Sequence, residues 1–198
     1  RFSVLVDQPQ IDLNIMASGS QNVCKEVDYE ITLASTEAGV SYYASINGTI
    51  VSDRITGSGG SLVLEVLADK LSIGGNSISI FAQRAQCTAL PLSSTMNVVV
   101  DGIYEIQSVT DGVSCQTVTD GVSCQTGQTT LKAIGAPSNG AYRWYDSENS
   151  TEPISETVTG EYVTPVLDKT KTYYVTAVNA SGCEGNKTMV KAVVEQFD

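Results

Sequence analysis

The chain has no histidine. That removes Ser-His and Cys-His nucleophile activation, zinc sites with an imidazole ligand, and the side chain that most often moves protons near neutral pH. Aromatic residues make up 7% of the 198 positions, and proline and cysteine occur five times each. No apolar run approaches the ~20 residues that cross a bilayer, so no membrane span is expected in this segment. The sequence opens on Arg1 rather than on a cleavable leader and is expected to be a mature piece of something longer. Basic residues are scarce too: eleven against twenty-two acidic ones give a net charge of -11. Such a chain repels a phosphate backbone, which argues against nucleic acid as a partner. The charge reads as solubility and self-repulsion.

Catalysis would have to rest on carboxylates, Lys, Tyr or Cys. No nucleophile elbow, phosphate loop or metal-ligand spacing is present, and the chain is read as non-catalytic, with no cofactor and no metal. Charged residues are 17% of a composition rich in Gly, Ser, Thr and Val, neither disordered nor long-helical.

What is there is period-2 alternation. The first half offers strands at Ile11 to Met16, Tyr29 to Leu33, Val40 to Ile46, Leu62 to Leu67, Ser77 to Arg84 and Ser93 to Val100. Asn47-Gly48, Gly57 to Ser61 and Gly74-Gly75-Asn76 supply positive φ and are expected to close hairpins. Glu65 to Ser72 admits a helical turn, but strand followed by turn is preferred. The second half repeats the rhythm at Ile103 to Val109, Thr129 to Ile134, Ala141 to Asp146, a short pair around Ile154 and Tyr162, Thr170 to Asn179, and Lys187 to Val194. Turn signals every 8 to 12 residues or so are those of a β-sandwich. The fold class is therefore all-β: two tandem immunoglobulin-like β-sandwich domains, residues 1–101 and 102–198.

The cysteines cross-check this division. Cys24 precedes the Tyr29 strand and Cys87 follows the Ser77 strand; Cys124 precedes the Thr129 strand and Cys183 follows the Thr170 strand. Tyr42 and Tyr142 are offset as Cys24 and Cys124 are, which points to one module duplicated and diverged. Taking the start of the second strand and the end of the sixth to lie at one end of each sandwich, the expected disulfides are Cys24 with Cys87 and Cys124 with Cys183. Each would close a loop of about sixty residues and stabilise its module by roughly 4 kcal/mol in the chain-entropy picture. Such bridges persist outside the reducing cytosol, which places the protein at the cell surface or beyond it.

One cysteine is left over. VTDGVSCQT is written twice, Val109 to Thr117 and Val118 to Thr126. Because Cys124 leads straight into a strand while Cys115 leads only into the second copy, Cys115 is expected to be the unpaired thiol. Nine is odd, so sliding a strand by one copy would turn its core side chains outward, and only one copy can hold the original place. The doubling reads as a tandem duplication absorbed by an extra loop or a displaced first strand.

Ala141-Tyr-Arg-Trp-Tyr-Asp-Ser147 and Lys171-Thr-Tyr-Tyr-Val-Thr-Ala-Val-Asn-Ala-Ser-Gly-Cys183-Glu resemble the Ig-like modules of large Bacteroidota surface proteins, including gliding-motility adhesins exported by type IX secretion. The first half resembles a sister module through Glu37-Ala-Gly-Val-Ser-Tyr42, Ile46-Asn-Gly48, Gly57 to Leu62 and Gly75 to Ile80. The resemblance implies a non-catalytic repeat in an extracellular stalk or adhesin that projects an adhesive tip. Its partners would be neighbouring Ig-like modules of the same chain, with a surface polysaccharide or another cell-surface protein as ligand. No ligand-binding residue carries over, because the matching motifs are structural.

The alternative reading is a carbohydrate-binding accessory module of a secreted glycan-degrading enzyme, with Trp144 or Tyr145 stacking on sugar; Trp144 is read first as a core residue. Asn47, Asn149, Asn179 and Asn186 each open an Asn-x-Ser/Thr triplet and are expected to be bare in a bacterial protein. Asp146-Ser-Glu148-Asn149 offers carboxylates in a turn without the spacing of a calcium loop.

Overall fold

The computed structural model describes residues 10–115 and 127–195, with the side chain of Cys115 left aside. The chain divides into two compact units, Arg1–Asp101 and Gly102–Asp198. The first carries β1 (Ala17–Ser18), β2 (Asn22–Cys24), β3 (Tyr29–Leu33), β4 (Val40–Ile46), β5 (Thr49–Ile50), β6 (Ile55–Thr56), β7 (Leu62–Val66), β8 (Gly74–Arg84) and β9 (Leu90–Asp101). The second carries β10 (Ser108–Thr110), β11 (Gly112–Cys115), β12 (Thr130–Ile134), β13 (Ala141–Tyr145), β14 (Ser155–Thr157), β15 (Glu161–Val163), β16 (Lys171–Val178) and β17 (Thr188–Glu195).

Alternation in the sequence becomes burial. In β3, Tyr29, Ile31 and Leu33 point inward while Glu30 faces solvent; in β7, Leu64 and Val66 point inward while Val63 and Glu65 face out. This small sheet, ordered β1-β3-β7, lies over the larger β2-β9-β8-β4-β5 sheet, to which β6 is added alongside β4. Tyr42 and Ala44 of β4 and Ile78 and Ile80 of β8 meet it in a core that is fully buried. Two such faces, each losing its apolar side chains from water, supply the main drive for folding.

The second unit repeats the plan, with β10-β12-β15 packed on β11-β17-β16-β13-β14 around Leu131, Trp144, Tyr173 and Val175. In both units the first strand is split between the sheets. β1 pairs antiparallel with β3 and then β2 runs parallel to β9; β10 pairs antiparallel with β12 and then β11 runs parallel to β17. Tyr42 and Tyr142 share a job as well. The Tyr42 hydroxyl accepts the Glu37 N–H at 3.0 Å, and the Tyr142 hydroxyl accepts those of Gly135 and Ala136 at 3.2 Å each, tying the turn before the strand to the strand itself.

Some expected elements differ in kind. Ile11 to Met16 alternates, yet pairing begins only at Ala17; Ile15 is buried and Ile11 and Leu13 pack on the core, so the pattern there reports burial without a ladder. Ile103 to Val109 shortens to β10 for the same reason, with Ile106 against the core. β7 stops at Val66 and one 3-10 turn, Ala68–Lys70, follows it, with the Ala68 N–H held by the Asp28 carboxylate at 2.7 Å. Asn47-Gly48 closes the β4–β5 hairpin with φ of 50° and 81°, the paired positive values of a type I′ turn. The other two glycine-rich stretches change sheets: 57–61 leads from β6 to β7, and Gly74 opens β8 after the crossing from β7.

Candidate functional site

The registers settle where the cysteines can reach. Cys24 lies opposite Asp101, the last residue of β9, whereas Cys87 sits in the turn that leads into β9 at its other end. The twelve residues of β9 separate them, about 35 Å at the usual rise of a strand, and a disulfide needs Cα atoms about 6 Å apart. The expected Cys24–Cys87 bridge is therefore not made within this fold. The physical error is one of direction: β3 is antiparallel to β7, β4 is antiparallel to β8, and successive strands reverse, so the second and sixth strands run the same way. The start of one and the end of the other then fall at opposite ends. Cys24 and Cys183 are both disulfide-bonded.

Cys115 ends β11 opposite Glu195, the last residue of β17, as Cys24 ends β2 opposite Asp101, the last residue of β9. Val109 to Cys115 of the first copy therefore contributes to the split first strand, and the backbone of Cys115 takes the place that Cys24 holds in the first unit. The expectation that Cys115 is the unpaired thiol falls on a side chain outside the described residues. Cys124 and the second copy lie outside the described residues.

Trp144 and Tyr145, the side chains considered for sugar stacking, are both buried. Trp144 is fully buried, stacks on Tyr162 at 5.5 Å between centroids, and donates its indole N–H to Thr157 Oγ1 at 3.1 Å. Tyr145 points to the outer face of the large sheet but is covered there: the Lys187 ammonium sits 4.0 Å from its ring centroid, and its hydroxyl donates to Glu184 Oε1 at 2.5 Å. Lys187 is itself tied to the carbonyls of Glu148 and Ser150.

Glu184 is the hub of the densest polar group in the second unit. It accepts Thr176 Oγ1 at 2.6 Å, the Tyr145 hydroxyl, and Arg143 Nη1 at 2.8 Å, while Arg143 Nε reaches Glu156 Oε2 at 2.8 Å. Burial works to raise the Glu184 pKa, but the three donors outweigh it and hold the carboxyl below its ordinary value. Burial first, and the bond to Glu184 second, push the Tyr145 phenol up to about 12. Arg143 bonds both Glu156 and Glu184 and offsets one of their two charges, and the lowered pKa keeps Glu184 ionised near pH 7, where it cannot act as a general acid. The group pins the β16–β17 turn onto β13. Sequence reading missed it because Glu184 belongs to a turn and Arg143 to an outward strand position, with no fixed spacing between them.

The outer face of the first unit carries a smaller stack. Tyr43 and Phe81 lie ring on ring at 5.4 Å, and the Arg54 guanidinium covers Tyr43 at 3.9 Å while donating to Gln83 at 2.6 Å. The four Asn-x-Ser/Thr sites also separate by structure. Asn47 and Asn149 are exposed in turns, whereas Asn179 donates to the Gly102 carbonyl and accepts from Ser181 and Cys183, and Asn186 donates to Glu105. Among the described residues no group of three or more His, Cys, Asp or Glu side chains is arranged to hold a metal, and no helix is long and apolar enough to cross a membrane.

The sheet pairing defines an all-β, Ig-like fold. Residues 113–195 match the family described as Ig-like domain CHU_C associated, a class that points to a non-catalytic extracellular module. Solved structures to which the chain is similar include the fibronectin(III)-like modules of Clostridium thermocellum CbhA, at 13% identity and a TM-score of 0.45 over 91% of this chain and 95% of that one. The human OSCAR ligand-binding domain matches at 11% identity and a TM-score of 0.36, covering 94% of this chain and 98% of that one. The N-terminal Ig1-2 module of Drosophila receptor protein tyrosine phosphatase DLAR matches at 13% identity and 0.32, covering 93% and 100%. No curated protein matches the chain.

Proposed function

We propose that the chain is a non-catalytic repeat segment of a large cell-surface adhesin or stalk protein, of the kind found in Bacteroidota and exported by type IX secretion, in which serial modules project an adhesive tip. The observation that carries this reading is the same module built twice in succession, down to the split first strand and the tyrosine that ties each third strand to its turn. A duplication of structure without a duplicated reactive group favours a spacer over an enzyme. The disulfide-bonded Cys24 and Cys183 favour an oxidising location outside the cell. The burial of Trp144 and Tyr145 counts against the two aromatics on which a sugar-stacking role would first be built.

The test is exposure on the source cell. Antibody raised against the 198-residue chain should label intact cells, and mild external protease should remove the signal. Labelling only after lysis would overturn the assignment.

A further inference from the structure

On the side of the first unit, between edge strand β7 and the β5–β6 segment, runs an open groove with an apolar floor. Ile50, Ile55, Val63 and Leu67 line it and are 45%, 37%, 45% and 48% exposed. β7 is paired with β3 on one side; on its groove side, among the described residues, its backbone pairs only at the Ser52–Val66 bridge. An exposed strand edge beside an apolar groove is a template for a further extended segment.

The charges on the groove state what kind of segment. Glu30 and Glu65 are Cα partners across β3 and β7, both exposed and both lining the groove, with Asp53 on the opposite wall. Among the described residues none of these carboxylates has an ion-pair or hydrogen-bond partner, and the nearby Lys70 pairs with its neighbour Asp69 at 2.9 Å. Like charges directly opposite on a sheet are unfavourable. The fold does not require them: at the corresponding place the second unit pairs Thr130 with Val163, and two residues along it sets Lys132 against Glu161 as a cross-strand ion pair at 2.7 Å. A destabilising pair kept in one module and absent from its sister is better accounted for by a partner that neutralises it.

We propose that this groove docks an extended segment of another protein in which basic and apolar side chains alternate. Laid along β7, such a segment sets its basic side chains on the outer face against Glu30 and Glu65 and its apolar ones towards Ile50 and Ile55 of the β5–β6 segment. With a net charge of -11, a second copy of the chain or an anionic membrane is repelled from the same surface. The proposal goes beyond the stalk reading and does not depend on it.

The test uses the whole 198-residue chain and three labelled ten-residue peptides of alternating Lys/Val, Glu/Val and Ser/Val, followed by fluorescence anisotropy and by amide shifts in NMR. Saturable binding is expected for the Lys/Val peptide alone, with shifts confined to β3, β7 and residues 50–56, and weakening about tenfold as salt rises from low to physiological strength. The double variant Glu30→Thr/Glu65→Val should bind at least about tenfold more weakly yet unfold at a higher temperature, since the like-charge pair is gone. Glu148→Lys/Glu152→Lys, in the second unit, should leave binding unchanged. Equal binding of the Glu/Val or Ser/Val peptide, full binding by the Glu30/Glu65 variant, shifts outside the groove, or self-association that the same variant abolishes would each overturn the proposal.

Discussion

A single carboxylate, Glu184, shows how a polar group without catalytic use still shapes the pH response. Its folded pKa lies below the ordinary value of about 4.5, so the stabilisation it gives is complete above that pH and is lost as pH falls through the lowered value. Glu184→Gln should therefore cost about 1 kcal/mol at pH 7 and progressively less below pH ~4, where the parent carboxylate itself becomes protonated. Denaturant melts of parent and variant between pH 7 and 3 will show whether the two curves converge. Gly160 is a steric case: its φ is +74°, and a Cβ there would lie 2.2 Å from the Ala133 carbonyl oxygen, which belongs to the adjacent strand. Gly160→Ala should lower stability by about 1–3 kcal/mol, read as a fall in the melting temperature.

At the scale of elements, the doubled phrase gives the sharpest expectation. β11 already fills the split first strand, and four residues, 25–28, suffice to join β2 to β3 in the first unit. Deleting residues 118–126 leaves five residues between Cys115 and Thr130, enough for the same connection. The deletion variant should keep the parent's melting temperature within a few degrees and give the same NMR pattern across β12 to β17; loss of the folded spectrum would show that the second copy is part of the structure.

The strands themselves were legible because burial and alternation coincide in them: Val40–Ile46 reads from the sequence as it folds, and β3, β7 and β13 agree to within a residue or so. β2, β5, β6 and β11 were not legible, being two to four residues long and defined by a partner strand rather than by their own pattern. The Cys24–Cys87 expectation failed for a different reason. Sequence spacing says how many strands intervene, whereas the end of the sandwich at which a residue emerges depends on strand direction, and one reversal miscounted moves it the full length of β9. The groove was invisible because Ile50 and Ile55 sit in a stretch with little alternation, and Glu30 and Glu65 become opposite only through the β3–β7 register.

Across the whole molecule, each unit has its own core and its own pair of sheets. Residues 1–101 and 102–198 expressed separately should each give a cooperative melt, as units of this size with one closed core do. A fragment that stays unfolded alone would mean that its core is not self-sufficient. Non-reduced peptide mapping of the full chain should contain no Cys24–Cys87 peptide, given the length of β9 between those positions.

The split first strand has a mechanical consequence. β2 runs parallel to β9, and β11 runs parallel to β17, so the strand that enters each unit and the strand that leaves it lie side by side and point the same way. If the two ends of a unit are drawn apart, those strands slide along one another and their ladder bonds are strained together, in shear, instead of opening one after another like a zipper. Rupture then requires several bonds to fail at once, and a unit of modest equilibrium stability gains a high force threshold along the one axis on which a tethered chain is pulled.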